Sequence, residues 1–198
     1  MTVSKFRKKA AVRLSGAVTQ AMQGLGMPGG RFEVKLDPIE GGAQQGAQHG
    51  LENISFLMSG HPSAALRPVN KVASGGELSR ISLAISVTTS RLGGAQTLIF
   101  DEVDSGVGGA VAETVGRLMK QLGVDRQVLA VTHLPQVAAC ADNHLLVSKS
   151  SSDDSTTSHV ERIGAEERVT EIARMLGGER LSNTSLAHAR ELLTPSQL

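Results

Sequence analysis

The chain has 198 residues, enough to bury one sizeable hydrophobic core, so we expect a single domain or one large part of a domain. Its charges nearly balance, with a formal net charge of +1, so the chain as a whole lacks the strongly basic character of many nucleic-acid-binding proteins. Cysteine occurs once, at Cys140, which excludes an internal disulfide and a cysteine-rich zinc site. No apolar run is long enough to span a bilayer and no signal peptide is recognisable, so we expect a soluble cytoplasmic protein without a membrane partner.

The first 30 residues contain basic side chains and no acidic one. Apolar residues spaced by three and four predict a helix over residues 3–24, and the glycine-rich stretch that follows predicts its end. This helix could contact DNA phosphates, although a charged stretch of this kind is more often a solvated helix face. The basic residues are Lys5, Arg7, Lys8, Lys9 and Arg13.

The rest of the chain alternates between predicted strands and helices. A half-buried strand is predicted over residues 31–36, and a second strand near residues 53–59. Residues 41–50 are rich in glycine and glutamine and predict a mobile loop, while residues 150–158 lack apolar side chains and predict a solvated hairpin tip. The remaining predicted elements are a helix from Gly75 to about Leu92, a strand over 97–100, a helix over 109–122, a strand over 127–131, a short helix before Asp142, a strand over 144–149, a return strand with Val160 and Ile163, and helices around 166–176 and 184–193.

Residues 97–109 contain the pattern that points most directly to function. Thr97–Phe100 is an apolar run without polar alternation, which predicts a strand buried on both faces, as in a parallel sheet flanked by helices. Asp101 and Glu102 follow directly, and ligands of open α/β sheets bind beyond the carboxyl ends of the strands. Such an acidic pair could hold Mg²⁺ and polarise an attacking water. Acidic residues also favour a helix N-terminus for electrostatic reasons, so the pair alone leaves a structural role open.

Two further motifs could belong to the same site. Ser74, Gly75 and Gly76 precede a predicted helix, where glycines let backbone N–H groups approach an anion, although Gly-Gly is also common in an ordinary tight turn. His133 follows the next predicted strand, so we expect it at the same sheet edge as the acidic pair. There it could donate a hydrogen bond to a phosphoryl oxygen, but an isolated histidine is more often a capping or core residue. The other histidines show no metal-ligand spacing.

The order of these motifs resembles the C-terminal half of an ABC-type ATPase head, and most closely the SMC-like branch with its bacterial DNA-repair ATPases. Ser74–Glu77 resembles the ABC signature, Leu98–Glu102 the Walker B motif, Val103–Gly109 the D-loop, and His133 the switch histidine. The resemblance covers nearly the whole chain and is densest from residue 71 to residue 149.

The resemblance implies a fold and a domain organisation. The fold is expected to be α/β, a C-terminal lobe of an ABC/SMC-type ATPase head with a mostly parallel sheet flanked by helices. Residues 1–30 are then the end of a coiled-coil arm and its connector, and residues 31–198 are the C-terminal lobe of the head.

The resemblance also implies that ATP and Mg²⁺ bind between two copies of the head, with Glu102 and His133 as catalytic residues and Asp101 on Mg²⁺ through water. It assigns nucleotide binding across the dimer to Ser74, Gly75, Gly76 and Glu77, and positions at the dimer seam to Asp104, Ser105 and Gly106. Closing and opening of the heads would change the grip of the arms on DNA during double-strand break repair, in association with the nucleoid.

One motif of such a head is missing, because the chain contains no Gly-Lys pair and therefore no Walker A phosphate-binding loop. An N-terminal lobe would have to supply that loop, and this chain alone is predicted to be inactive. Two alternatives stay open: the ATPase subunit of an ABC transporter, and a dimerisation module without activity of its own. Transporter heads commonly have Gln after Ser-Gly-Gly and Pro after Asp-Glu, so Glu77 and Val103 favour the SMC-like branch.

Overall fold

The computed structural model of the protein describes residues 2–39, 50–71, 74–90, 95–152, 155–178 and 180–194. Nearly all of the predicted loop at 41–50 lies outside these ranges. In the described part of the chain, no helix has the length and apolar character needed to cross a bilayer. The elements are α1 (Thr2–Gly24), β1 (Arg31–Pro38), β2 (Glu52–Ser59), β3 (Arg67–Pro68), a 3₁₀ turn (Val69–Lys71), α2 (Gly75–Thr88), β4 (Thr97–Phe100), α3 (Gly109–Leu122), β5 (Gln127–Ala130), α4 (Pro135–Cys140), β6 (Leu145–Ser152), β7 (Ser155–Arg162), α5 (Ala165–Gly177) and α6 (Asn183–Leu193).

Helix α1 packs on the antiparallel sheet β1–β2–β3. Its apolar stripe enters the main core, where Met22 is fully buried. Its hydroxyl groups meet β1, an edge strand: Ser15 Oγ accepts a hydrogen bond from Val34 N–H at 2.9 Å, and Thr19 Oγ1 accepts one from Phe32 N–H at 2.9 Å. Two backbone donors at the sheet edge are thereby satisfied by side chains of the helix, which fixes α1 against the sheet.

Strands β4 and β5 form a parallel pair connected by α3, with Thr97 opposite Gln127 and Phe100 opposite Ala130. Two neighbouring parallel strands require a crossover connection of this kind. The amphipathic helix α3 turns Val115 and its apolar neighbours into the same core as Phe100. The crossover therefore places the carboxyl ends of both strands at one edge of the sheet.

The predicted α/β fold is confirmed, but the parallel pairing is more limited than expected. Within the described ranges β4–β5 is the only parallel pair, whereas β1–β2–β3 and β6–β7 are antiparallel. Two residues separate β6 from β7, and so short a connection permits only an antiparallel pair. The prediction that β4 is buried on both faces is also wrong, because Thr97 and Ile99, on one face of the strand, are exposed, Ile99 to 70%.

The prediction of a loop over residues 150–158 is wrong for all of that stretch that the structure describes. Strands β6 and β7 continue through it, with Ser150 opposite Thr157 and Ser151 opposite Thr156. Because backbone hydrogen bonds form the ladder and β-branched threonine fits a strand, a hairpin can continue without apolar side chains. Residues 153 and 154, between the two strands, lie outside the described ranges.

Helices α5 and α6 enclose a second, smaller core with the end of α4, in which Ala138, Ile172 and Ala189 are buried. Arg168 connects this unit to α4, because its Nη2 donates to the carbonyl oxygens of Ala138 and Ala139, each at 3.1 Å. These carbonyls belong to the last turn of α4, where helices run short of backbone donors, and the Ala138 carbonyl also accepts a hydrogen bond from the cap N–H of Ala141 at 3.3 Å. Burial lowers the pKa of the Arg168 guanidinium from its ordinary value.

Candidate functional site

The residues that follow β4 and β5 line one open cleft of about 350 Å³. The parallel pairing explains this, because strands that run in the same direction end at the same sheet edge. The structure therefore brings Glu102 and His133 together at one cleft, as the sequence predicted. The lining residues are Asp101, Glu102, Asp104, Ser105, Val131, Thr132 and His133.

Glu102 has an unusual backbone conformation. Its φ is 56°, and among the described residues it is the only non-glycine residue with a positive φ. A left-handed conformation costs a residue of this type on the order of 1–3 kcal/mol and is concentrated at functional sites. The turn aims the carboxylate of Glu102 at α2, where a Cβ added to Gly75 would collide with Oε2. Glycine at position 75 is therefore what allows this acid to lie against the start of α2.

The start of α2 is closed by a capping box. Ser74 Oγ accepts a hydrogen bond from the backbone N–H of Glu77 at 3.4 Å, and Glu77 Oε2 accepts one from the backbone N–H of Ser74 at 3.0 Å. Ser74 and Gly75 are exposed, Glu77 is half-buried and Gly76 is buried. Ser74 and Glu77 thus have a structural role in the isolated chain, at a helix N-terminus that faces solvent.

Helix α2 is hydrogen-bonded directly to the loop after β4. Ser79 Oγ donates to the carbonyl oxygen of Asp101 at 2.7 Å, and Arg80 Nη1 donates to that of Ser105 at 2.7 Å. Gly76 packs so closely on this loop that an added Cβ would lie 2.9 Å from the Ser105 carbonyl oxygen. Burial lowers the pKa of the Arg80 guanidinium. The start of α2 and the loop that carries Asp101 and Glu102 are therefore packed against each other within a single chain.

Asp104, which the sequence assigned to a dimer seam, is buried within the single chain. Its side chain is buried, and Oδ2 accepts hydrogen bonds from Thr132 Oγ1 at 2.5 Å and from the backbone N–H of His133 at 3.2 Å. Within the single chain, the turn after Glu102 points this carboxylate inward, at the end of β5, and the expected position of Asp104 at a dimer seam stays a prediction. Ser105 and Gly106, the other two residues assigned to that seam, are exposed.

Asp101 could supply a ligand to Mg²⁺ but not a complete metal site. No cluster of three or more His, Cys, Asp or Glu side chains that could hold a metal ion occurs in the described part of the chain. Mg²⁺ is commonly bound through one or two carboxylates together with phosphate oxygens and water. The exposed Asp101 at the cleft could be one such carboxylate.

The sequence did not single out three residues that shape this site, namely Ser79, Arg80 and Thr132. Arg80 carried a usable signal, because it interrupts the apolar stripe of a predicted helix one turn after Gly76 and so must find polar partners on the buried side. Ser79 and Thr132 carried no such sequence signal, because each donates a hydrogen bond to a backbone or carboxylate oxygen that only the fold brings within reach.

Sequence comparison relates the chain to bacterial DNA repair proteins. It is 42% identical over 193 residues to the DNA repair protein RecN of Vibrio cholerae, and the match covers 96% of this chain and 34% of the relative. It is 45% identical over 195 residues to RecN of Xylella fastidiosa, covering 98% of this chain and 35% of the relative. The chain corresponds to a C-terminal part of RecN. It spans about a third of the length of the curated RecN proteins that it matches, and no protein-family model matches it.

Structural comparison shows the fold of this RecN segment. The Smc head domain of Pyrococcus yayanosii, solved with a coiled coil and joint, superposes with a TM-score of 0.59 at 20% identity, covering 84% of this chain and 29% of that one. A chain from a structural study of ATP-driven dimerization and DNA-stimulated activation of SMC ATPases has a TM-score of 0.51 at 19% identity, covering 89% of this chain and 98% of that one. The segment therefore has the fold of part of an SMC ATPase head.

Proposed function

We propose that this chain is the C-terminal lobe of an SMC-like ATPase head that hydrolyses ATP between two heads and thereby drives DNA binding or tethering in the repair of double-strand breaks. The observation that carries the proposal is the cleft at the ends of β4 and β5, which combines Asp101, Glu102 and His133. The positive φ of Glu102 supports a functional role for that residue, because left-handed conformations of non-glycine residues are concentrated at functional sites. The proposed setting is the bacterial cytoplasm, at the nucleoid.

Each residue of the cleft has a chemical task in this proposal. Asp101 holds Mg²⁺ through water, and Mg²⁺ neutralises charge on the phosphates when it is bound. Glu102 accepts a proton from the attacking water and orients that water, a general-base role worth roughly 10²–10⁴ in rate. His133 lies across the cleft and donates a hydrogen bond to the phosphoryl group that is transferred. All three side chains start from exposed positions, so nucleotide can reach them.

The N-terminus of α2 is proposed to meet the ATP that a second head binds. Ser74 and Gly75 are exposed, and the first backbone N–H groups of a helix favour an anion. The exposed Ser105 and Gly106 lie next to this helix end and would share the seam between heads. The carboxylate of Glu102 lies beside Gly75. The proposed general base and the helix end proposed to meet the second head are therefore adjacent within one chain.

The N-terminal lobe of the head is the first partner that this chain requires. Without a Gly-Lys pair the chain lacks the lysine and backbone cradle for the β- and γ-phosphates, so it should be inactive alone. The open face of β4–β5, with Ile99 70% exposed and Leu129 40% exposed, offers apolar surface for that lobe to cover. If no such lobe restores activity, the alternative that remains is a dimerisation module.

The basic face of α1 is the proposed contact with DNA. Lys5, Lys8, Lys9 and Arg13 are all exposed, whereas Arg7 is turned toward β2, where its Nη1 lies 3.1 Å from Glu52 Oε2. Contacts of this type go to phosphates and therefore position the protein without reading sequence. The proposed DNA binding should accordingly weaken steeply as the salt concentration rises.

The direct test is to combine this chain with a separately expressed N-terminal lobe of RecN. We expect no ATP hydrolysis by either part alone and measurable hydrolysis by the mixture, which Glu102→Gln in this chain should abolish. The matched control is Glu113→Gln on the exposed side of α3, away from the cleft, which should leave the rate unchanged. A mixture that hydrolyses ATP equally well with Glu102→Gln would exclude the proposed catalytic role.

A further inference from the structure

Asp104 is a buried acid that the proposed reaction does not use. Only 1% of its surface is exposed, which makes it one of the few buried polar or charged residues of the described core. An ionised carboxylate is costly to bury unless hydrogen bonds and opposite charge compensate it. In the described part of the chain, the hydrogen bonds and ion pair that reach it all come from the end of β5, through Thr132 and His133.

Those contacts hold the turn that carries His133. Thr132 Oγ1 donates to Asp104 Oδ2 at 2.5 Å and accepts a hydrogen bond from the backbone N–H of Leu134 at 3.0 Å. The backbone N–H of His133 donates to the same carboxylate oxygen at 3.2 Å. Thr132 and His133 therefore both donate to one oxygen atom of Asp104, and Leu134 is linked to it through the hydroxyl of Thr132, so the course of the chain after β5 depends on Asp104.

The imidazole ring of His133 lies beside the same oxygen. Its Nδ1 lies 3.5 Å from Asp104 Oδ2, close enough that a small rotation of the ring completes a hydrogen bond, while 72% of the side chain is exposed. With Nδ1 facing the buried carboxylate, the other ring nitrogen, Nε2, is the one left for the open cleft. Carboxylates that accept from one ring nitrogen commonly set both the tautomer and the direction of a functional histidine.

We infer that Asp104 is a positioning residue for His133: it accepts a hydrogen bond from Nδ1–H and presents Nε2 to the cleft. In the neutral ring the single proton is then on Nδ1, so Nε2 can only accept a hydrogen bond. The ring becomes a donor toward a phosphoryl oxygen after Nε2 takes up a second proton. The meeting of Nε2 with a phosphoryl group rests on the proposed function, but the orientation by Asp104 does not.

The tautomer of His133 tests this inference without ATP. ¹⁵N NMR correlation spectra of the histidine rings, recorded for the wild-type chain at alkaline pH where the ring is neutral, should assign the protonated nitrogen of His133 to Nδ1. Exposed histidines without a partner favour the opposite tautomer, so His159 of β7 and His188 of α6 serve as internal references. A His133 spectrum with its proton mainly on Nε2, like the references, would overturn the inference, and this measurement requires no variant.

Two variants extend the test. Asp104→Asn replaces a charge-assisted acceptor by a neutral one and should reduce the ratio of Nδ1–H to Nε2–H at His133 about five- to tenfold. Thr132→Val removes a hydrogen bond to the same oxygen but leaves the acid, so it should keep the Nδ1–H tautomer. An unchanged His133 tautomer in Asp104→Asn, or an equal loss in both variants, would contradict a specific role for Asp104.

The same variants separate this inference from the proposed function. In a head completed by the N-terminal lobe, Asp104→Asn should lower kcat at least tenfold with little change in KM for ATP, because it alters the presentation of His133 rather than nucleotide binding. Absence of ATP hydrolysis in the completed wild-type head would refute the proposed function and leave the tautomer result standing. Wild-type kcat in Asp104→Asn, despite a shifted tautomer, would leave the orientation by Asp104 standing and would overturn the proposed use of His133 Nε2 in the reaction.

Discussion

Replacing Gly76 by alanine tests the packing that joins α2 to the loop after β4. The added Cβ would lie 2.9 Å from both the Cβ and the carbonyl oxygen of Ser105, and the carbonyl is backbone that cannot rotate away. Overpacking of this kind costs about 1–3 kcal/mol. Alanine regains up to about 1 kcal/mol of helix propensity in a helix interior and less in the first turn. We therefore expect the free energy of unfolding to fall by about 1–2 kcal/mol.

Gly16→Ala in α1 is the matched control, because nothing lies within 4 Å of the Cβ that it adds. There the propensity gain is not opposed, so stability should rise by up to about 1 kcal/mol, or about 2–4 °C in Tm for a chain of this size. Urea denaturation of both variants beside the wild-type chain measures the two effects. If Gly76→Ala were as stable as wild type while Gly16→Ala behaved as expected, the close packing of Gly76 on Ser105 would be refuted.

Three further predictions concern the cleft and two buried groups. In a completed head, Glu102→Gln should lower ATP turnover about 10²–10⁴-fold, as measured by steady-state hydrolysis. The variant should still bind ATP and dimerise, which gel filtration in the presence of ATP measures. Unchanged turnover would remove Glu102 from the mechanism. Burial, and to a lesser extent Arg168, lowers the pKa of His144, so the unfolded chain binds this proton more readily and stability should decrease as the pH falls below about 6.5. Urea unfolding at about pH 7.5 and about pH 5.5 should show a smaller decrease for His144→Gln than for wild type, and equal decreases would contradict this contribution. Burial raises the pKa of the Cys140 thiol, so its alkylation at neutral pH should be slow in the folded chain and faster in urea. Equal alkylation rates in the folded and the urea-unfolded chain would show that the thiol is accessible in the fold.

Local patterns in the sequence were sufficient for most elements of the fold. The spacing of Val111, Val115 and Leu122 predicted α3 with its observed ends, because an amphipathic period and flanking glycines act within one element. The apolar run at Thr97–Phe100 likewise predicted the position of β4. The exposure of β4 could not be predicted in the same way, because the composition of an apolar run does not tell which of its faces the rest of the chain covers.

The hairpin β6–β7 shows a different limit of the sequence. Its serine and threonine residues lack the alternation of a half-buried strand, and therefore predicted a loop. The ladder between Ser150 and Thr157 is made by backbone groups, which every residue carries whatever its side chain, so composition did not reveal it.

The sequence by itself determined the chemistry available at the cleft: an acidic pair after one strand, a histidine after the next, and glycines before a helix, in an order typical of an SMC-like head. Only the tertiary structure decided how these groups are held. It gave Glu102 a positive φ with its carboxylate beside Gly75, hydrogen-bonded Arg80 to the loop after β4, and turned Asp104 inward onto Thr132 and His133. Such contacts join residues about 25 to 30 positions apart, and their distances are set by the packing of whole elements rather than by any local pattern.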